Sequence, residues 1–333
     1  MGKRWALFFA INMIAMAAFS FAAPALGWWL PEGVSTHAGS VDFLFYVILW
    51  VTTFFFFLTE ALLIVFIWKY GSGEKPTHLG TVPVFLKPIA GLINTQHKIE
   101  MAWTIVPAAI LLYIAFAQVG AWAKVKYQSR FEELTKGATP LTLELSARQF
   151  EWRFRYPSAQ RLRQFLKDPV GTELERKNFA RQPHLDDVHV VNELHIWKDY
   201  PVLIYLGTRD VLHSFNLPNF RVKQDALPGK IIPVWFTPTK ANVFKTKNSD
   251  GKWQWHYGYR LETDPQTGRP APVAGADGRP IPDPAFTWDI PCAELCGWGH
   301  WRMVGRVYVH PDQDDFFAWL EQTGQAEHSK SGK

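Results

Sequence analysis

The chain is poor in cysteine. Only Cys292 and Cys296 occur among 333 residues. A framework of several disulfides is therefore excluded, as is a structural zinc site built from four thiolates. No Cys-x-x-Cys-His motif occurs, so no c-type heme is attached to this chain. Neither sign of charge dominates, with 35 Lys and Arg against 30 Asp and Glu, and no nucleic-acid partner is expected. Apolar runs long enough to span a bilayer are confined to the first 122 residues. What is present in quantity is hydrophobic and aromatic content, 48% and 15%, enough for a membrane part and one sizeable extramembrane domain.

Three apolar stretches stand out: Trp5 to Ala23, Phe43 to Trp68 and Met101 to Trp122. Roughly 20 helical residues cross the hydrocarbon core, so the second is long enough to span with tilt and the third fits well. The first, within residues 1–25, has two readings. Lys3 and Arg4 ahead of an apolar run, with the small residues Ser20-Phe-Ala-Ala-Pro-Ala25 after it, fit a signal peptide. Its length fits a retained first transmembrane helix, the reading we favour. The expected organisation is then transmembrane helices at 42–69 and 99–123 around a cytoplasmic loop at 70–98. An extramembrane domain follows at 124–323, with a polar, frayed tail at 324–333. Lys69, Lys75, Lys87 and Lys98 between the second and third stretches, with Lys3 and Arg4 at the start, place these segments in the cytoplasm. The domain after Trp122 then lies outside.

Both cysteines fall in the run from Cys292 to Met303, which sets Cys292, Glu294, Cys296, His300 and Met303 in the spacing Cys-x-Glu-x-Cys-x3-His-x2-Met. Two thiolates, an imidazole and a thioether are soft ligands that suit copper. A Cys292–Cys296 disulfide would close a tiny loop for little entropic gain and leave His300 and Met303 without a role. Zinc suits the cysteines and histidine but makes no use of a thioether. A single blue copper needs one cysteine, two histidines and an axial methionine, so the second cysteine is surplus unless two coppers share both sulfurs. A two-copper centre needs a second histidine. His213, between the apolar runs Val202 to Leu206 and Ile231 to Phe236, sits where a strand end or adjoining loop is expected, but a lone histidine in such a setting is ordinarily a packed or solvated residue and its position alone does not select it.

Three separated motifs resemble subunit II of the heme-copper cytochrome c oxidases. They are the Cys292 to Met303 loop, the stretch from Asp210 through Arg221-Val-Lys-Gln-Asp-Ala-Leu-Pro-Gly229, and His97-Lys-Ile-Glu-Met-Ala-Trp-Thr-Ile-Val-Pro107 on a membrane helix. The resemblance implies a binuclear copper centre, CuA, bridged by Cys292 and Cys296. His213 and His300 would be its terminal nitrogens, Met303 the weak ligand of one copper and the Glu294 carbonyl that of the other. The Glu294 carboxylate would also face a magnesium or manganese ion at the interface with subunit I. Glu100 would stand at the mouth of the proton path known as the K channel; read without the family, it is a carboxylate favoured by a helix N-terminus. Glu60, inside the second span, has no matching family residue and is expected to face subunit I or a polar pocket.

The extramembrane part reads as mostly β. Alternation marks Leu141 to Ala147, Gln149 to Tyr156, Val188 to Val191, Val202 to Leu206, Ile231 to Phe236 and Met303 to Val309. The expected fold class is membrane-anchored α+β, two or three N-terminal transmembrane helices followed by a cupredoxin-like Greek-key β-barrel. A helix over Asp314 to Gln322 closes it. Segments near 158–186 and 245–287 are insertions relative to the compact family pattern. In the second, Trp253, Trp255, Tyr257 and Tyr259 suit either docking of another subunit or a hairpin that packs its own aromatics.

The family's strand Gly-His-Gln-Trp-Tyr-Trp, whose first Trp receives the electron, matches Ala147-Arg-Gln-Phe-Glu-Trp152 here. Phe150 stands at the receiving position and Trp152 matches the second Trp, so Phe150 and Trp152 are the candidates for electron reception; simple packing is the alternative for Phe150. From Lys124 onward there are 29 Lys and Arg against 25 Asp and Glu, with Asp312, Asp314 and Asp315 as a local acidic patch. By resemblance, electrons come from a cytochrome c or a cytochrome c domain and pass to heme in subunit I, which also holds CuB. That subunit reduces O2 and translocates protons, and no O2 chemistry takes place on this chain alone. Partners would include further oxidase subunits and membrane lipid, a set compatible with a larger respiratory supercomplex. The location implied is a bacterial inner membrane, with the copper domain periplasmic. Two other classes fit the ligands: a membrane-anchored copper-binding or assembly protein, and the CuA subunit of a nitric oxide reductase.

Overall fold

The computed structural model describes residues 2–26, 28–71, 96–126, 135 and 137–331. They form two compact units. One comprises Met1–Leu30 and Asp42–Ala121, the other Pro31–Val41 and Trp122–Lys333.

The first unit is helical: α1 (Gly2–Ala25), α2 (Ala38–Tyr70) and α3 (Gln96–Lys126). Each contains a window long and apolar enough to cross a membrane: Lys3–Pro24, Ala38–Tyr70 and Glu100–Ala123. Their large apolar side chains, such as Phe54, Leu111 and Phe116, point outward. In a soluble protein that exposure would be costly; in lipid it is the expected arrangement. The Lys3 ammonium lies 5.7 Å over the Trp68 ring, so α1 begins beside the end of α2 and the two run antiparallel. Most of the expected 70–98 loop, including Lys75 and Lys87, lies outside the described residues.

The second unit is a cupredoxin-like β domain. Its main sheet has the order β3-β2-β1-β5-β8, from β3 (Val188–Val191), β2 (Glu151–Tyr156), β1 (Leu141–Arg148), β5 (Val202–Thr208) and β8 (Ile232–Phe236). A second sheet has the order β13-β14-β4, from β13 (Trp288–Pro291), β14 (Val304–His310) and β4 (Glu193–Trp197). Strands β1 and β5 pair in parallel, as do β14 and β4, which makes both sheets mixed. A hairpin of β6 (His213–Leu217) and β7 (Val222–Ala226) joins the second sheet by an antiparallel bridge between Phe215 and Cys292.

Alternation along β1 turns Leu141, Leu143, Leu145 and Ala147 inward, all fully buried. They meet Trp152, Phe154, Tyr156, Phe215, Phe220, Phe236 and Trp288 in one aromatic core. The connector Pro31–Val41 belongs to this domain. Ser35 forms an antiparallel bridge with Pro238, and the Val34 N–H donates to the Asn219 carbonyl at 2.7 Å. Nothing in the sequence pattern of that short segment announces it as part of a sheet.

The 158–186 insertion is helical, with α4 (Ala159–Lys167) and α5 (Glu173–Asn178). Leu162 and Phe165 of α4 bury against the main core. Arg155, buried on β2, donates to Glu144, Asp187 and the Phe179 carbonyl, each at 2.5 Å, and so fastens the insertion to the sheet.

The 245–287 region forms two small hairpins, β9 (Val243–Lys247) with β10 (Trp253–Tyr257), and β11 (Leu261–Thr263) with β12 (Pro270–Pro272). Its aromatics are engaged within the domain. The Trp255 indole donates to Asp315 at 3.1 Å, Tyr257 meets Tyr308 edge-on at 4.8 Å, and Tyr259 packs on Phe244. Trp253 carries the ammonium groups of Lys245 and Lys247. Of the two expectations for these rings, packing at home is the one their contacts satisfy.

The closing helix α6 (Gln313–Ser331) is longer than expected. The tail expected to fray after Thr323 stays helical through Ser331, because the His189 N–H donates to Glu327 at 2.9 Å and Gln322 exchanges hydrogen bonds with the Trp253 backbone.

Candidate metal centre

The Cys292 to Met303 loop leaves β13 and returns as β14, so its two ends are held by the second sheet. The Cys292 N–H donates to the Met303 carbonyl at 3.0 Å, and the Ala293 N–H donates to the Ser214 carbonyl at 3.0 Å. The second contact fastens the loop to β6, whose first residue is His213. A strand start 79 residues upstream thereby delivers its imidazole to the cysteines.

Both cysteines are free thiols, and both are buried. Their sulfurs lie 3.9 Å apart. His213 Nδ1 is 3.9 Å from Cys292 Sγ on one side, and His300 Nδ1 is 3.5 Å from Cys296 Sγ on the other. The fully buried Met303 sets its sulfur 3.8 Å from Cys296 Sγ, and the Glu294 carbonyl lies 3.2 Å from Cys292 Sγ. Donor atoms of His213, Cys292 and Cys296 all fall within 4.8 Å of one another, a grouping that could hold a metal ion. Two sulfurs at the centre, an imidazole at each end and a weak donor beside each sulfur make a soft, nearly symmetric set. It fits a pair of coppers better than one hard cation.

The surroundings orient these donors. His213 Nε2 lies 2.8 Å from Asp210 Oδ1, which leaves Nδ1 facing the sulfurs. The Gln149 N–H donates to the other Asp210 oxygen at 2.7 Å, while the Gln149 side-chain amide donates to the Cys296 carbonyl at 2.5 Å. Gln149 thus holds the support of one histidine and the backbone of one cysteine together. Sequence reading did not single out Gln149 or assign Asp210 a role; an aspartate three residues before the candidate histidine was the one available signal.

Burial alone would push the Cys292 thiol up, but hydrogen bonding with His213 and with the Ser214 and Glu294 backbone brings it down to about 6. Burial and the neighbouring Cys292 charge push Cys296 up to about 12. Without metal, the pair therefore ionises at Cys292 first. Although burial opposes it, contact with Cys292 and Asp210 raises the pKa of His213. A bound cation would remove the mutual repulsion of two thiolates, so metal uptake releases protons.

Phe150 rests on the ligand loop. A side chain at Gly299 would come within 2.5 Å of the Phe150 ring, and one at Gly297, where φ is +130°, within 2.7 Å of the Gln149 amide. Both glycines permit this close approach. Phe150 also meets Trp298 edge-on at 5.2 Å. Trp152 is different. It is fully buried beneath His213 and Phe215 and donates its indole N–H to the Ile290 carbonyl at 2.9 Å. Of the two candidates for electron reception, Trp152 therefore lies in the core and Phe150, half-buried, lies against the ligand loop. Glu294 is partly exposed, and Glu100 lies on α3 in the helical unit.

Family models agree with this architecture in two places. The model described as cytochrome c oxidase subunit II, transmembrane domain, matches residues 23–119, and the one described as cytochrome c oxidase subunit II, periplasmic domain, matches residues 141–256. The first spans α2 and α3 and starts near the end of α1; the second includes His213 and ends in the β9–β10 hairpin, before the ligand loop. The chain belongs to the cytochrome c oxidase subunit II family. Among its relatives, the alternative cytochrome c oxidase subunit 2 of Bradyrhizobium diazoefficiens is 23% identical over 93% of this chain and 89% of its own length. Cytochrome c oxidase subunit 2 of Thermostichus vulcanus is 24% identical over 88% of this chain and 78% of its own. Among solved structures, the periplasmic domain of subunit II (CoxB) of Bradyrhizobium japonicum covers 56% of this chain and 94% of that one at 18% identity, with a TM-score of 0.32.

Proposed function

We propose that this chain is the electron-accepting subunit of a membrane-bound cytochrome c oxidase and holds a binuclear copper centre. The observation that carries the reading is the pair of free, buried cysteine sulfurs 3.9 Å apart with one imidazole beside each. Cys292 and Cys296 would bridge the metals, His213 and His300 would cap them, and Met303 and the Glu294 carbonyl would serve as weak donors. When bound, the copper pair supplies a one-electron relay between a cytochrome c and the heme of subunit I. The protein's part is to hold the donors in one geometry for both redox states. Asp210, Gln149 and the sheet that grips both ends of the loop do this, and the aromatic core beneath excludes water.

O2 reduction and proton translocation would belong to subunit I, with this chain as a component of the oxidoreductase complex. The β domain would face the periplasm of a bacterial inner membrane, residues 70–98 the cytoplasm. Supporting this, the α1–α2 connector folds into the β domain, so the chain is on one side of the bilayer before α2 and after α3. The lysine and arginine positions assign the other side to the cytoplasm. The Glu294 carboxylate would reach a magnesium or manganese ion at the subunit I interface, and Glu100 the proton path.

The test is metal uptake by the reduced full-length chain in detergent. Two coppers per chain sharing one unpaired electron by EPR are expected. A single copper, or preferential retention of zinc, would overturn the reading. Co-purification with a heme-bearing subunit separates it from a free-standing copper carrier.

A further inference from the structure

The loop that carries the ligands also carries the most exposed aromatic groups among the described residues of the β domain. Leu295, Trp298 and Trp301 are 79%, 77% and 78% exposed, although each lies within two residues of a candidate ligand. Three large apolar side chains exposed on one short loop beside the candidate metal centre are the kind of feature that marks a contact site. Trp298 differs from the other two in being held. Its ring meets Phe150 at 5.2 Å with planes at 71°, and the Arg302 guanidinium lies 4.5 Å from its centroid and 5.5 Å from that of Phe150. Trp301, equally exposed, has no ring partner among the described residues.

Trp298 is also well connected to the centre. It is two residues from both Cys296 and His300. Through Phe150 it reaches Gln149, whose amide is bonded to the Cys296 carbonyl at 2.5 Å. The flanking glycines let Phe150 sit against the loop, so the indole is displayed on a fixed platform.

We propose that Trp298, braced by Phe150 and Arg302, is the residue that the redox centre of the donor cytochrome meets, and that the electron enters the ligand loop through its indole. This inference rests on the copper reading above. In the step, the donor's heme iron goes from ferrous to ferric and the copper pair gains that one electron. Trp298 provides the tunnelling path and ends unchanged, and no bond forms or breaks and no proton moves. Phe150 is a positioning residue in this scheme, which gives the phenyl ring a role although it has no indole of its own.

The experiment uses the full-length chain in detergent, with a soluble monoheme cytochrome c as the probe, and compares Trp298→Ala, Trp298→Phe and Trp301→Ala. Copper content and EPR spectrum are expected to match the parent in all three. Stopped-flow reduction by the probe should slow by about tenfold or more in both Trp298 variants and by less than about threefold in Trp301→Ala, as expected when one central aromatic dominates a contact. On the copper-free chain, Trp298→Ala should weaken probe binding by about 30-fold. Parent-like reduction by copper-loaded Trp298→Ala, or a larger effect of Trp301→Ala, would overturn the proposal. If the parent chain fails to take up two coppers, the copper reading falls by itself, and unchanged probe binding by copper-free Trp298→Ala would then overturn the role of Trp298.

Discussion

His195 Nδ1 lies 2.9 Å from His310 Nε2, inside the β domain and at the opposite end of β14 from Met303. His310 Nδ1 is in turn 2.8 Å from Asp315, which also pairs with Lys245 at 2.5 Å. An ionised Asp315 accepts the proton on His310 Nδ1, so His310 Nε2 accepts from His195, and both rings are neutral. His195 is clamped between Tyr308 and Trp319, with centroids at 4.4 and 3.7 Å. Burial holds the pKa of both histidines below 6.5, and the other ring lowers that of His195 further.

The unfolded chain takes up protons near 6.5 that this folded pair refuses, so its contribution to stability is full above that pH and declines on acidification. The thermal midpoint of the parent should therefore fall from pH 7 to pH 5 more steeply than that of His195→Phe, which keeps an aromatic ring in the clamp. Parallel pH profiles for the two proteins would sink this account.

Gln149→Ala removes the donor to the Cys296 carbonyl. A lost hydrogen bond of this kind costs about 1 to 2 kcal/mol. Copper affinity should drop with stability, since the same amide positions a candidate ligand. Chelator competition together with a denaturant titration reads both, and an unchanged pair of values would show that the loop is held without Gln149.

Asp210→Asn keeps the shape but removes the charge facing His213 Nε2. Loss of such support for a metal-bound histidine weakens affinity by about 10- to 100-fold. Folding should change less than metal retention, because the Asp210 side chain stays partly exposed, at 30%. Parent-like retention of copper against a chelator would argue that the sheet alone orients His213.

Asn242 ties β14 to the rest of the domain. Its amide donates to the carbonyls of Phe286 at 3.1 Å and Val307 at 2.9 Å, and its oxygen accepts from the Val309 N–H at 2.8 Å. Truncation to Ala leaves these buried groups unpaired, a cost of about 3 kcal/mol. For a domain of this size that lowers the thermal midpoint by about 6 to 12 °C. A shift of no more than a degree or so, measured by circular dichroism, would mean that water replaces the side chain.

Much of the fold was legible because it is local. Length and apolarity gave all three helices, and alternation gave β1, β5 and β8 within a residue or two. The insertions were legible as extra, but not the fastening of the first to the sheet through Arg155 and the Phe179 carbonyl, since the partners of Arg155 lie 11, 24 and 32 residues away. The end of α6 was missed for a similar reason: residues after Thr323 are polar, and their helix is kept by contacts with β3 and β10. At the site, five candidate donors lie within twelve consecutive residues and were readable from their chemistry. His213 needed resemblance, because one histidine between apolar runs carries no signature of its own.

The sequence by itself determined the kind of chemistry, through two cysteines, a histidine and a methionine at short spacing, and the division between membrane and β domain, through apolar length. Tertiary structure decided which distant groups serve that loop. Gln149 and Asp210 are 61 residues apart, yet one hydrogen bond joins them, because the parallel pairing of β1 and β5 brings the ends of both strands to the same edge of the sheet. It also buried Trp152 and left Trp298 exposed. Residue type sets what a side chain can do, whereas exposure and partners depend on packing between segments that no local pattern records.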